Sequence, residues 1–106
     1  TFNPNTGSVS ATHFNSLSDK SLKDELVIIT DPVGKIGQMT GYSFRWKDSG
    51  RPSYGVIAQE LEAIAPELVD TLNNERKTVN YDGIIAFLIE AVKELDSRVK
   101  ELEKKQ

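Results

Sequence analysis

The sequence predicts an α+β chain, a small mixed body of short β-hairpins and helices followed by a long C-terminal helix that forms a coiled coil. Three observations carry that reading. Tyr42-Ser43-Phe44-Arg45-Trp46 alternates aromatic with polar residues and leads through a turn into a second extended run, the pattern of a half-buried hairpin. Tyr81, Ile85, Leu88, Val92, Leu95, Val99 and Leu102 recur at spacings of 4, 3, 4, 3, 4 and 3, the heptad stripe of a supercoiling helix. Charge begins abruptly, because residues 1–17 hold no Asp, Glu, Lys or Arg, and all 13 basic and 16 acidic residues lie from Asp19 onward.

Residues 1–17 are rich in Asn, Ser and Thr, with Phe2, Val9 and Phe14 scattered among them. Such a stretch cannot bury enough apolar surface to fold alone. It is either a linker or the end of a polar, β-rich upstream segment. The body follows over residues 18–80. Leu26-Val27-Ile28-Ile29, stopped by Asp31-Pro32, is a strand or the end of a helix that begins near Ser21. Asp48-Ser49-Gly50-Arg51-Pro52 makes the hairpin turn, and Tyr54-Gly55-Val56-Ile57 resumes the extended course. Ala58 to Ala65 has helical spacing, with Ile57, Leu61 and Ile64 on one face, and Pro66 ends it. Leu68-Val69 and Thr78-Val79 bracket the polar tract Asn73-Asn74-Glu75-Arg76, a second hairpin tip. Tyr42, Phe44, Trp46 and Tyr54 are expected in the core, and Tyr81 at the base of the terminal helix.

Residues 81–106 form that helix. Ile85, Val92 and Val99 take position a and Leu88, Leu95 and Leu102 position d, which by rule leans towards two strands. Arg98 at g faces Glu103 at the following e, the geometry of an interchain ion pair. A surface helix packed on its own body competes for the first two turns, where Ile84, Phe87 and Ile89 widen the apolar face.

Composition excludes several functions. At 106 residues and 38% hydrophobic content, the chain is one small domain with appendages. A net charge of −3 lacks the basic face of a nucleic-acid binder. There is no cysteine, so neither disulfides nor thiolate metal sites arise, and His13 alone makes no metal site. No cofactor or metal is expected. No apolar run approaches the roughly 20 residues of a membrane span. The uncharged amino terminus is not a signal peptide, and Thr1 reads as the start of a fragment of a longer protein.

Chemistry concentrates at the charge break, in Ser18-Asp19-Lys20-Ser21-Leu22-Lys23. Lysine can act as a base for serine once its ammonium has lost the proton. A separation of five is awkward on a regular helix, where i+3 and i+4 are neighbours, but reachable if Ser18 lies in the extended entry to a helix. Ser18 Oγ is one residue from the Leu17 carbonyl, and attack there closes a five-membered ring and exchanges amide for ester, cutting Leu17–Ser18. The bland alternative is that Ser18 and Asp19 are an N-cap with an acidic first turn.

Ordered blocks add to this. Ser18-Asp19-x-x-Leu22-Lys23, Gly41-Tyr42-x-Phe44-x-Trp46, Tyr54 to Leu61, Pro66-Glu67-Leu68-Val69, and Val79-x-Tyr81 leading into Leu88 to Leu95 resemble the intramolecular chaperone domain of phage tailspikes and tail fibres, the peptidase S74 family, across residues 16–103. The resemblance implies a homotrimer whose client is the upstream fibre of the same chain, with self-cleavage before the motif serine and release of the chaperone. It implies Ser18 as nucleophile, Lys23 as base and Leu17–Ser18 as the scissile bond. Asp19 would orient Lys23 or cap the helix. Gln59, beside Glu60, would donate to a developing oxyanion or be a buried amide tying its helix to the core. Residues 1–17 would then end the fibre, and Ile85, Leu88, Val92, Leu95, Val99 and Leu102 would hold the trimer. The implied setting is a virion tail-fibre precursor assembled in the host cytoplasm, meeting a host receptor only through the upstream fibre, with no nucleic-acid or membrane partner. A permanent trimerisation module without proteolysis is the alternative.

Overall fold

The computed structural model describes residues 17–73 and 75–105, together with the backbone of two short strands, β1 (Phe2–Asn3) and β2 (Ser8–Val9), paired antiparallel. His13 and most of the 1–17 segment lie outside the described residues. From Ser18 onward the fold is α+β: two hairpins, two short helices and one long helix.

α1 (Pro32–Gln38) is the element the sequence hid. Its seven residues include Gly34 and Gly37, poor helix formers, so hydrophobic periodicity is weak there. Local geometry starts it instead. Asp31 takes a left-handed conformation at φ 49°, Pro32 opens the first turn, and the Asp31 carbonyl accepts from Lys35 N at 3.1 Å. Packing against the C-terminal helix completes it.

β3 (Tyr42–Arg45) and β4 (Pro52–Gly55) form the expected hairpin, with Tyr42 opposite Gly55 and Arg45 opposite Pro52. Gly50, at φ 71°, supplies the turn conformation that L-residues resist. Pro52 sits at the first position of its strand, where a missing N–H is tolerated. α2 (Ala58–Ile64) follows and stops before Pro66, as the spacing predicts. Lys35 Nζ donates to the Ile64 carbonyl at the end of α2 at 3.3 Å, so this lysine is a helix cap rather than a freely solvated charge. β5 (Val69–Thr71) and β6 (Lys77–Val79) make the second hairpin, clipped to α2 by the Lys77–Glu62 ion pair at 3.2 Å.

α3 (Tyr81–Lys104) is one unbroken helix of 24 residues, about 36 Å long at 1.5 Å per residue. Asn80 caps it, accepting from Gly83 N at 3.1 Å, while Asn80 N donates to the Leu68 carbonyl at 2.8 Å. The helix therefore starts against the core, which comprises Leu61, Ala65, Leu68 and Val69 with Met39, Val56, Val79, Ile84 and Phe87 around them.

Two expectations change. Leu26 to Ile29 is neither strand nor helix: a three-residue 3-10 turn at Lys20–Leu22 gives way to irregular chain in which Leu26, Val27 and Ile28 are exposed. Glu25, at a positive φ of 51°, breaks any regular course entering this run. The aromatic run is not core either. Trp46 and Tyr54 are 56% and 84% exposed, and only Phe44 is half-buried. A two-stranded sheet has no second layer on either face, so alternation cannot bury both sets of side chains within one chain.

Candidate active site

The Ser18–Lys23 pair is built by a tight turn. Asp19 is extended (φ −70°, ψ 136°), Lys20–Leu22 coil as a 3-10 turn, and Lys23 is extended again (φ −120°, ψ 135°). Leu22 N donates to the Asp19 carbonyl and Lys23 N to the Lys20 carbonyl, both at 3.1 Å. Two extended arms leaving one tight turn bring their side chains together, which solves the awkward separation of five. Lys23 Nζ lies 2.5 Å from Ser18 Oγ, in hydrogen-bond contact. Leu17, which carries the carbonyl next to Ser18, is 83% exposed.

Asp19 is a cap and does not touch Lys23. Its Oδ1 accepts from Ser21 N at 2.8 Å and from Ser21 Oγ at 2.7 Å. These two bonds, the hydroxyl's first, hold the carboxyl below its ordinary value of 3.8. Sequence reading missed Ser21, although an aspartate accepting from the backbone N–H two residues on is the ordinary Asx turn.

Glu60 and Gln59 hydrogen-bond to neither Ser18 nor Lys23 among the described residues. Both Glu60 carboxylate oxygens accept from the Tyr42 hydroxyl at 3.0 Å, joining α2 to β3. Gln59 is exposed rather than a buried amide. It lines an open groove of about 530 Å³ with Phe44, Trp46, Tyr54, Ile57 and Tyr81. Position explains the correction, because Gln59 stands two residues before Leu61 and so points away from the core side of α2.

The second candidate feature is the heptad stripe. Every side chain from Tyr81 through Leu102 in it is exposed, from 42% at Leu88 to 61% at Val92. One residue earlier over the turns up to Leu95, Ile84, Phe87, Ala91 and Glu94 are buried or half-buried, whereas Arg98 and Glu101 beyond them are exposed. An offset of one residue is about 100° around the helix. Over its early turns α3 thus carries two parallel stripes, one packed on its own body and one facing outwards. Arg98 pairs within its own helix, with Glu94 at 3.1 Å.

Residues 18–70 match the family model Peptidase_S74, described as chaperone of endosialidase, and the match starts at the serine of the close pair. Curated relatives are phage tail-fibre proteins. The chain is 30% identical over 109 residues to the long tail fiber protein Gp37 of Salmonella phage S16, covering 92% of this chain and 15% of that protein. It is 34% identical over 97 residues to the Gp37 proteins of Enterobacteria phages K3 and T2, covering 83% of this chain and 8% and 7% of theirs. The chain therefore spans no more than 15% of the length of these relatives.

Proposed function

This chain belongs to the peptidase S74 family, the chaperones of endosialidase, and we propose that it is the C-terminal intramolecular chaperone of a phage tail fibre, a homotrimer that releases itself by cutting Leu17–Ser18. It acts once on its own chain as a Ser/Lys autoprotease, within a virion tail-fibre precursor assembled in the host cytoplasm. The observation that carries the reading is the contact between Lys23 Nζ and Ser18 Oγ, at the residue where the family match begins.

Lys23, as the free amine, takes the Ser18 hydroxyl proton as Oγ attacks the Leu17 carbonyl carbon. The five-membered tetrahedral intermediate collapses with cleavage of the Leu17–Ser18 C–N bond, and the proton passes to the leaving amine. Leu17 is then esterified to Ser18 Oγ. Water hydrolyses that ester to give a Leu17 carboxylate and a Ser18 with its hydroxyl and a new amino terminus. In one chain the pair is exposed, whereas a lysine base works best where burial or a positive neighbour disfavours its charged form. Closure by neighbouring subunits supplies that environment and couples cutting to assembly.

The outward stripe of α3 is the trimer surface. Gathering three chains at their C-termini raises the effective concentration of the upstream segments and aligns them. Removing the clamp afterwards makes assembly kinetically irreversible.

A permanent trimerisation module is the second reading, favoured by Asp19 serving as an ordinary turn cap. Mass spectrometry of freshly expressed protein separates the two. A fragment beginning at Ser18, absent from Ser18→Ala, supports the protease; intact chains at every time and pH support the passive module.

A further inference from the structure

We propose that Ser21 is a positioning residue for the Ser18–Lys23 pair, holding the Asp19 carboxylate away from the Lys23 amine so that the lysine can lose its proton. This rests on the autoprotease reading above and deepens it.

The turn presents a chemical conflict. A lysine is a general base only in its neutral form, and a carboxylate within about 4–6 Å stabilises the charged form. Asp19 and Lys23 flank the same three-residue turn, so a carboxylate that the turn folds back beside the base competes with Ser18 for it. The structure avoids this through two hydrogen bonds. Ser21 donates through both its backbone N–H and its hydroxyl to one oxygen of Asp19, at 2.8 and 2.7 Å. Lys23 Nζ is left to Ser18. Oγ is the shorter of the two bonds and the only one a side chain controls. The other charged groups along this stretch are Lys20, Asp24 and Glu25; all are exposed, no helix or strand buries any part of the turn, and no ion pair among the described residues engages Lys23.

The sign follows. Without the Ser21 hydroxyl, Asp19 is held by one bond and samples Lys23, which raises the lysine's affinity for its proton and shrinks the neutral fraction at neutral pH. The limiting rate at high pH, where every lysine is neutral, stays the same.

The test is the pH–rate profile of self-cleavage in the full chain. Ser21→Ala moves the alkaline-side midpoint upward and slows cleavage at neutral pH by about 3- to 10-fold, the change that half a unit to one unit in midpoint brings, with the plateau unchanged. Ser21→Thr keeps the hydroxyl and the wild-type profile. Asp19→Asn combined with Ser21→Ala removes the competing charge and returns the midpoint to the wild-type position or below it. A purely structural turn residue behaves otherwise: Ser21→Ala lowers the rate equally at all pH, and adding Asp19→Asn, a weaker anchor, makes matters worse. That result, or no effect of Ser21→Ala, overturns the inference while leaving the dyad standing. Normal cleavage in Lys23→Arg, or none in the wild type, overturns the dyad and the inference together. Titration of the Lys23 side chain by NMR in uncut Ser18→Ala gives an independent reading, and an identical midpoint with and without Ser21→Ala also overturns it.

Discussion

The hydroxyl of Tyr81 occupies the space that a side chain on Gly55 would need. A Cβ built at Gly55 falls 2.6 Å from that oxygen, and the same hydroxyl accepts from Val56 N at 3.2 Å. The first residue of α3 is thereby latched to the end of β4, so the hairpin and the long helix keep a fixed relation. Gly55→Ala forces this latch open and should cost about 1–3 kcal/mol by overpacking. In a Tyr81→Phe background the same substitution should cost about 1 kcal/mol less, because the obstructing oxygen is gone. Urea denaturation of the four variants measures the coupling, and strict additivity would contradict it.

Leu61 is 2% exposed at the centre of the core. Leu61→Ala should destabilise the chain by about 2–5 kcal/mol, whereas truncating the exposed Tyr54 should leave the stability of an isolated chain nearly unchanged. Chemical denaturation of the two variants checks the contrast.

Tyr42 gives a pH dependence. Its hydroxyl donates to the Glu60 carboxylate, and that bond, with desolvation and the carboxylate's charge, raises the phenol above its ordinary 10.0. A raised folded value means stability that is fully present below pH 10.0 and is lost as pH climbs through the folded value. Phenolate absorbance should therefore appear at higher pH in native protein than in Glu60→Gln. Coincident titrations would remove the link between α2 and β3.

The outward stripe of α3 predicts assembly. Leu95→Asp with Leu102→Asp places charges at two positions that a coiled coil buries. Sedimentation should show a monomer, and cleavage at Leu17–Ser18 should be lost with the trimer. A monomer that cuts at the normal rate would separate the chemistry from assembly.

Legibility in the sequence followed how local each signal was. The heptads of α3 announce themselves because seven apolar residues repeat on one face, and Pro66 fixes the end of α2. α1 escaped because Gly34 and Gly37 leave Val33 and Ile36 with little pattern, and its stability comes from α3, far along the chain. The alternation at Trp46 and Tyr54 reports that a face is apolar without saying what covers it, and so points to a core that one chain does not build. At the site, the letters of Ser18 and Lys23 were visible, but their contact depends on a 3-10 turn that the helix expectation near Ser21 replaced. That Gln59 is exposed and not a buried amide depends on which side of α2 meets the core, which the letters do not say.

The most direct test of the account is Lys23→Arg. Arginine keeps the charge but does not release its proton near neutral pH. Self-cleavage at Leu17–Ser18, followed by mass spectrometry on protein whose trimer is verified by sedimentation, should fall by about 10²- to 10⁴-fold, the usual worth of a general base. Cleavage by Lys23→Arg at the wild-type rate would contradict the assignment of Lys23 as the base for Ser18.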